Sequence, residues 1–405
     1  MTRHMIQLSP RGALIYQLLN VAVALLLPYI LGLLLAALNQ LPAQPLGVWA
    51  ARVDSFTEQT FKLLLLTGFL AAGLMMADDG SLTGALGRIW LVCVGASLAL
   101  SGFGQAPLAE GMTALVLLVA LVWSLRLRPS STFLRCWRIG LLLAAQSSAL
   151  AMLGDQRLAD LNAAFQVQVA FVLCSISVVF WLIPRYSRLD RDWADGGLRI
   201  TGVLVFLGGG MISLGRLIMP AALSLAAAPL ISLAFVLLAS HSARALRNRN
   251  ENATLAPHWI ALATILWLVG GGFLGALSVQ PGIAEAMRGT DLAAAQQWLG
   301  GWVSLAVVLG FVNEAAAALR GDNLRVTGYA PFWLIGFGVG LSSIVLVCRG
   351  VLQIYLPDLA PAAELELMLP LTRVWLICQL AVAAGMALYA IGFWLRRPRI
   401  RVVDG

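Results

Sequence analysis

Three arginines interrupt long apolar segments of this 405-residue chain: Arg216, Arg349 and Arg373. A guanidinium group binds carboxylates and phosphates through paired hydrogen bonds. If the segments span a membrane, each arginine lies four to seven residues from the same end, roughly 6–10 Å deep at ~1.5 Å per residue. A charge at membrane depth must be compensated. Two interpretations stay open: ion pairing with acidic residues between Asp358 and Glu366, or snorkelling, and an anion site formed by all three.

Histidine, the other residue type suited to membrane redox chemistry, occurs only at positions 4, 241 and 258. His241 and His258 flank one polar loop, where they would either share a metal or simply mark two helix ends. Serine-protease-like, phosphate-loop and dinucleotide-binding patterns are absent from the sequence. The residues therefore indicate no familiar catalytic set of a soluble enzyme.

The composition predicts an all-α integral membrane protein. The chain is 60% hydrophobic and 11% charged, whereas soluble domains carry about 25% charged residues. The net charge of +8 is divided among short loops, so nucleic acid is not an expected partner and membrane lipid is. One transmembrane domain over residues 1–405 accounts for the whole sequence.

Twelve apolar runs are long enough to cross a bilayer, which takes roughly 20 residues. They cover approximately residues 13–38, 61–77, 83–104, 107–125, 134–153, 163–184, 198–220, 222–240, 258–280, 291–318, 330–356 and 367–395. Arginines cluster in alternate loops, for example at 126–138, 185–199 and 244–249, while acidic residues favour the others. This asymmetry predicts that both termini face the cytoplasm, in a bacterial inner membrane.

Several segments of the second half resemble the large subunit of haem-copper oxidases. GTDLAAAQQW from Gly289 resembles the start of the family's helix ten, and PFWLIGFGVGL and RGVLQIYL, from Pro331 and Arg349, resemble helix eleven. LTRVW around Arg373 resembles the start of helix twelve. The bacterial nitric oxide reductase subunit is the nearest match, and the cbb3-type oxidase subunit is next. The resemblance implies a twelve-helix bundle.

The ligand positions that the resemblance implies are occupied by other residue types. In the family, histidines at these positions hold two b-type haems and a non-haem iron or copper, and one position is a nearby glutamate. In this chain the same positions are Asn162, Gln166, Arg216, Leu217, Gln296 and Trp298. None of these side chains replaces imidazole as a ligand. We therefore expect no haem and no metal cofactor, and no catalytic residue.

These departures lead to three interpretations. The first is a catalytically inactive relative that serves as a subunit or assembly partner of a respiratory or denitrification complex, beside a membrane cytochrome c or an intact paralogue. The second is a small-molecule or anion binding or transport protein that uses the vacated haem cavity. The third, a working haem enzyme with unusual ligands, needs axial ligands that the sequence does not offer.

Overall fold

The computed structural model describes residues 5–40, 46–77, 84–126, 131–151, 169–215, 220–250, 254–287, 289–320, 327–356, 361–396 and 399–402. Helices dominate this part of the chain, and two four-residue strands accompany them, β1 (Met5–Leu8) and β2 (Arg399–Val402). The helices are α1 (Pro10–Asn39), α2 (Ala50–Met76), α3 (Gly84–Gly102), α4 (Ala106–Arg126), α5 (Thr132–Ala151), α6 (Phe171–Tyr186), α7 (Arg191–Gly215), α8 (Pro220–Arg247), α9 (Ala256–Ser278), α10 (Pro281–Met287), α11 (Asp291–Arg320), α12 (Tyr329–Tyr355) and α13 (Pro361–Leu395).

Eight of these helices contain stretches that are long and apolar enough to cross a membrane: α1, α2, α7, α8, α9, α11, α12 and α13. Shorter apolar stretches lie in α3, α4 and α6. The helical, multi-pass character predicted from the sequence is thus confirmed for the described residues, and lipid contact follows from it. The count of twelve spans goes further than this finding and stays a prediction.

The helix α2 begins earlier than its apolar run, at Ala50, so it includes charged residues that the sequence analysis left in a loop. Those charged residues are Arg52, Asp54 and Glu58. Lys62, which lies inside the predicted range, forms an ion pair with Glu110 of α4. Gln59, one turn away, donates from Nε2 to Ser97 Oγ of α3 at 2.8 Å. Polar groups enter the bundle here because neighbouring helices supply partners for them.

Both chain ends meet at one end of the bundle. Strand β1 pairs with β2 in parallel, so the start of α1 lies beside the end of α13. Arg320, at the end of α11, donates from Nη2 to Tyr16 Oη at 2.9 Å and to the Phe393 carbonyl at 3.2 Å. We call this the terminal end, and the opposite one, where α1 ends at Asn39 and α11 begins at Asp291, the distal end. The described ends of the chain, β1 and β2, therefore lie at the same end of the bundle.

Candidate functional site

A cavity of about 380 Å³ lies among α1, α2, α11, α12 and α13 in the distal half of the bundle. Its aromatic lining is Tyr29, Phe61, Trp298, Trp302 and Trp375. Its polar lining is Gln40, Asp291, Gln297 and Arg349. Along α11, Trp302 follows Asp291 by three turns, which is about 16 Å at ~1.5 Å per residue. The cavity therefore extends from the distal end deep into the bundle.

The aromatic rings around the cavity are tilted against one another rather than parallel. Tyr29 and Phe61 lie 5.0 Å apart between centroids at 35°, and Tyr29 and Trp302 lie 6.4 Å apart at 52°. Trp298 and Trp302 lie 5.4 Å apart at 57°. Gly301 lets Phe61 approach α11, because a Cβ there would stand 3.2 Å from that ring. Tilted rings enclose a rounded volume rather than a flat slot.

An ion pair joins α11 and α12 beside these rings. Arg349 Nε lies 2.8 Å from Asp291 Oδ2, and both side chains are largely buried. Gln353, one turn further along α12, donates from Nε2 to the same oxygen at 3.2 Å. Its Oε1 accepts from the Asp291 backbone N–H at 2.8 Å, which satisfies a donor at the start of α11.

Two glycines allow this junction to form. Gly289 has a φ of +78°, a left-handed conformation that turns the chain into α11. Gly350, next to Arg349, packs directly on the start of α11, since a Cβ there would lie 2.2 Å from the Leu292 backbone nitrogen. The GTDL and RGVLQ segments, which carry the family resemblance, therefore contact each other through Asp291, Arg349 and Gln353.

Four N–H donors on residues that line the cavity are buried without a hydrogen-bond partner. They are Nε1 of Trp298, Trp302 and Trp375, and Nε of Arg349. The Arg349 Nε–H is not directed at Asp291 Oδ2 despite its short distance, so this contact is an ion pair without a hydrogen bond. A buried unpaired donor costs about 1–3 kcal/mol. All four atoms are covered by neighbouring protein atoms, so it is the rings and the Arg349–Asp291 pair, and not these N–H groups, that face the cavity.

The structure separates the predicted site residues. Trp298 and Arg349 line the cavity. Gln296 points to α9 instead, where its Nε2 would lie 3.6 Å from a Cβ at Gly275. Arg373 is exposed on α13 and is not part of the lining. The remaining predicted positions, Asn162, Gln166, Arg216 and Leu217, lie outside the described residues, so the three-arginine anion site stays a prediction.

The two described histidines lie at the terminal end, away from the cavity. His241 packs on Trp193 at 4.6 Å between ring centroids, near the end of α8. His258 packs on Tyr329 at 5.5 Å, near the start of α9. The described lining of the cavity contains no imidazole, thiol or thioether. Tyr29 is the one lining side chain of a type that ligates haem iron, so the described lining lacks the histidines that the resemblance implies, and the absence of haem remains a prediction.

Sequence reasoning did not single out Asp291, Gln353, Tyr29, Trp302 or Trp375. A helical pattern could have found part of the set, because Asp291, Trp298 and Trp302 are spaced by seven and four residues on one face of α11. Arg349 and Gln353 repeat that spacing on α12. Neither pattern shows by itself that the two faces meet.

Comparison with models of known protein families found no match, and comparison with curated proteins also found none. The fold and the cavity define the chain as a multi-pass helical membrane protein with a partly polar cavity that opens at its distal end. The likeness to the oxidase large subunit therefore rests on the sequence segments quoted above.

Proposed function

We propose that this chain is a haem-free, catalytically inactive membrane protein that binds a small molecule in the distal cavity. The observation that supports this function is the cavity of about 380 Å³, which five aromatic side chains line together with the Arg349–Asp291 ion pair. In the resemblance to the oxidase subunit, Trp298 occupies a haem-ligand position. An indole there fills part of the space and offers a donor, whereas imidazole would offer a metal ligand.

Filling the cavity tests this function. Ala294 lines the cavity and is exposed to it, so Ala294→Trp places a bulky ring inside. We expect mass spectrometry of extracts from purified protein to show a co-purifying small molecule in the wild type and its loss in this variant. Ala318→Trp, at an exposed position near the terminal end of the same helix, is the matched control. Identical extracts from all three proteins would contradict the proposal.

We further propose twelve spans with the terminal end in the cytoplasm of a bacterial inner membrane. Supporting this, the loops after α6 and α8 are tied together by the Arg188 N–H donating to the Asn248 carbonyl at 2.9 Å. Thr254 bonds Glu314 near the end of α11, which places these arginine-rich loops at the terminal end. Single cysteines at exposed Asn248 and Glu285, in a cysteine-free background, test the orientation. The first should react with a membrane-impermeant thiol reagent only in opened cells and the second in intact cells, and the reverse would overturn it.

A second candidate function, a partner subunit of a respiratory complex, is favoured by Arg373. This arginine lies within a candidate span, is exposed, and forms no ion pair with the described residues. An acidic residue of another subunit would compensate its charge. A photoreactive residue at Ile377, one turn away and 65% exposed, should then cross-link one protein in membranes. Loss of that adduct in Arg373→Gln would support the partner function, and lipid adducts alone would contradict it.

A further inference from the structure

The described lining of the cavity changes from polar to apolar with depth. Gln40, at the end of α1, and Asp291, at the start of α11, lie at the distal opening. Tyr29 and Trp302 each lie eleven residues further into those two helices, which is about 16 Å at ~1.5 Å per residue. Their rings are 6.4 Å apart, and the Phe61 ring is 5.0 Å from that of Tyr29. We call the space beside these three rings the inner part of the cavity.

The hydroxyl of Tyr29 is a polar group of the inner part that a ligand can reach. The Tyr29 side chain lines the cavity, and the residue is 6% exposed. Its Oη forms no hydrogen bond, and neighbouring atoms do not seal it off as they seal the indole N–H groups. A phenol hydroxyl donates and accepts hydrogen bonds. A ligand that displaces water from the inner part therefore binds more tightly if it brings a hydrogen-bonding atom to Tyr29.

This geometry suits a neutral acceptor better than a hydrocarbon or a charged group. A plain hydrocarbon tail would leave the Tyr29 hydroxyl unpaired, at a cost of about 1–3 kcal/mol. The charged side chains of the described lining, Asp291 and Arg349, pair with each other near the distal opening. A carboxylate or ammonium in the inner part would therefore be a poorly compensated buried charge. A carbonyl oxygen accepts from the phenol without that cost.

The space between the Tyr29 hydroxyl and the opening suits an apolar body. Trp298, one turn before Trp302 on α11, is tilted against it by 57° with ring centroids 5.4 Å apart. Leu346 and Trp375 add apolar surface from α12 and α13. The volume of about 380 Å³ holds about a dozen non-hydrogen atoms at roughly 30 Å³ each. Two fused rings with one short substituent have this size.

We propose that the cavity binds a neutral, apolar ring compound that enters from the distal end with a carbonyl oxygen first, and that the Tyr29 hydroxyl donates to this oxygen. The outer end of the ligand lies beside Gln40 and Gln297, which are exposed. This inference rests on the proposed binding function and adds the chemical class and the orientation of the ligand.

Three naphthalene probes that differ in one substituent test the ligand class. The probe 2-acetylnaphthalene carries the ketone, 2-ethylnaphthalene is a hydrocarbon of similar shape, and 2-naphthoate carries a charge. Equilibrium dialysis with detergent on both sides of the dialysis membrane measures binding, so that uptake by micelles cancels. We expect Tyr29→Phe to weaken binding of the ketone roughly fivefold, since one hydrogen bond is lost. Binding of the hydrocarbon should not change, and neither should binding of naphthoate, whose charged end stays at the opening.

The matched control is Tyr16→Phe, which removes the same oxygen from the same helix. Tyr16 Oη accepts from Arg320 at the terminal end, so this variant should leave the binding of all three probes unchanged. Because Tyr29→Phe removes an unpaired hydroxyl, the fold should persist, and unchanged binding of the hydrocarbon would show that the cavity is intact.

The remaining outcomes overturn the inference in separate ways. Equal weakening of ketone and hydrocarbon in Tyr29→Phe would show that no hydrogen bond to the ligand was lost. Equal weakening of ketone and naphthoate would contradict a neutral ligand, and a wild-type protein that does not bind the ketone would exclude the whole class. In each case, loss of a co-purifying molecule in Ala294→Trp would leave the proposed binding function intact, whereas identical extracts would contradict that function itself.

Discussion

The two ends of α11 differ in how their buried polar groups are satisfied. Toward the terminal end, Asn313 donates from Nδ2 to the Leu309 carbonyl and to Tyr389 Oη, each at 2.9 Å. Its Oδ1 accepts from Thr327 Oγ1 at 3.1 Å. Toward the distal end, the indole N–H of Trp302 has no partner. One helix thus carries a closed hydrogen-bond network at one end and an open set of donors at the other.

An unpaired donor by itself does not make the difference. Trp259 Nε1, near the terminal end, also has no partner. Its ring, however, is enclosed edge-on by Phe332 at 5.2 Å and Tyr389 at 5.9 Å. The distal donors instead belong to side chains around one cavity. The comparison teaches that the distal half of α11 has a cavity where its polar groups are incompletely paired, whereas the closed network of the terminal half holds helices together.

The largest effect is expected from breaking the closed network. Asn313→Leu keeps a similar shape but leaves the Thr327 hydroxyl without its partner and removes one of the two hydrogen bonds of Tyr389 Oη, which still donates to the Leu309 carbonyl. A buried group left unpaired costs about 1–3 kcal/mol, and each lost hydrogen bond adds to that cost. We expect the free energy of unfolding to fall by about 3 kcal/mol, measured by denaturant titration in detergent. Ligand retained per folded molecule should stay unchanged. The control is Asn248→Leu, which alters an exposed asparagine bonded to its own helix and should have little effect on stability. If Asn313→Leu lost ligand without losing stability, the role of Asn313 in holding the helices together would be contradicted.

A smaller effect is expected at the junction of α11 and α12. Gly350→Ala forces a methyl group to within 2.2 Å of the Leu292 nitrogen, so the helices must separate, at about 1–3 kcal/mol. Because Arg349 precedes this glycine, its contact with Asp291 should weaken, and both stability and ligand retention should decrease. The control is Gly340→Ala on the same helix, where the added methyl group meets nothing within 4 Å. This variant should change neither the stability, measured by thermal unfolding, nor the ligand retention, measured by a binding assay. Equal behaviour of the two variants would show that the junction does not position the cavity.

The sequence predicted the helices and some of the site, for different physical reasons. Long apolar runs are a local signal, so ranges such as 291–318 coincide closely with Asp291–Arg320. The start of α2 was placed at residue 61 instead of Ala50 because the charged and polar residues before it, such as Glu58 and Gln59, look like loop residues until the partners from α3 are known. Whether a charged or polar residue can lie inside the bundle depends on partners from other helices, and a local sequence pattern does not show these partners.

The cavity shows the same limit. Arg349 and Trp298 stood out by residue type, as a charge within an apolar run and a substituted ligand position. Asp291 did not, because its partner Gln353 is 62 residues away and no local pattern predicts that contact. Pairing across helices depends on how α11 and α12 pack, which a single sequence without relatives does not reveal.

The smallest effect sharpens the comparison between paired and unpaired indoles. Trp90 and Trp302 are both buried, but Trp90 Nε1 donates to Thr67 Oγ1 at 2.9 Å whereas Trp302 Nε1 has no partner. A change to Phe removes the same ring and N–H from each. In Trp90→Phe the hydroxyl of Thr67 loses a partner, while in Trp302→Phe an unsatisfied donor disappears. We expect Trp302→Phe to be less destabilising, by about 1 kcal/mol, in thermal unfolding of ligand-free protein. The order should reverse for binding: because Trp302 lines the cavity, Trp302→Phe should lower ligand affinity by roughly fivefold, about 1 kcal/mol, whereas Trp90→Phe should leave it unchanged. Equal stability losses together with equal affinities would mean that Trp302 is an ordinary core residue that contacts no ligand.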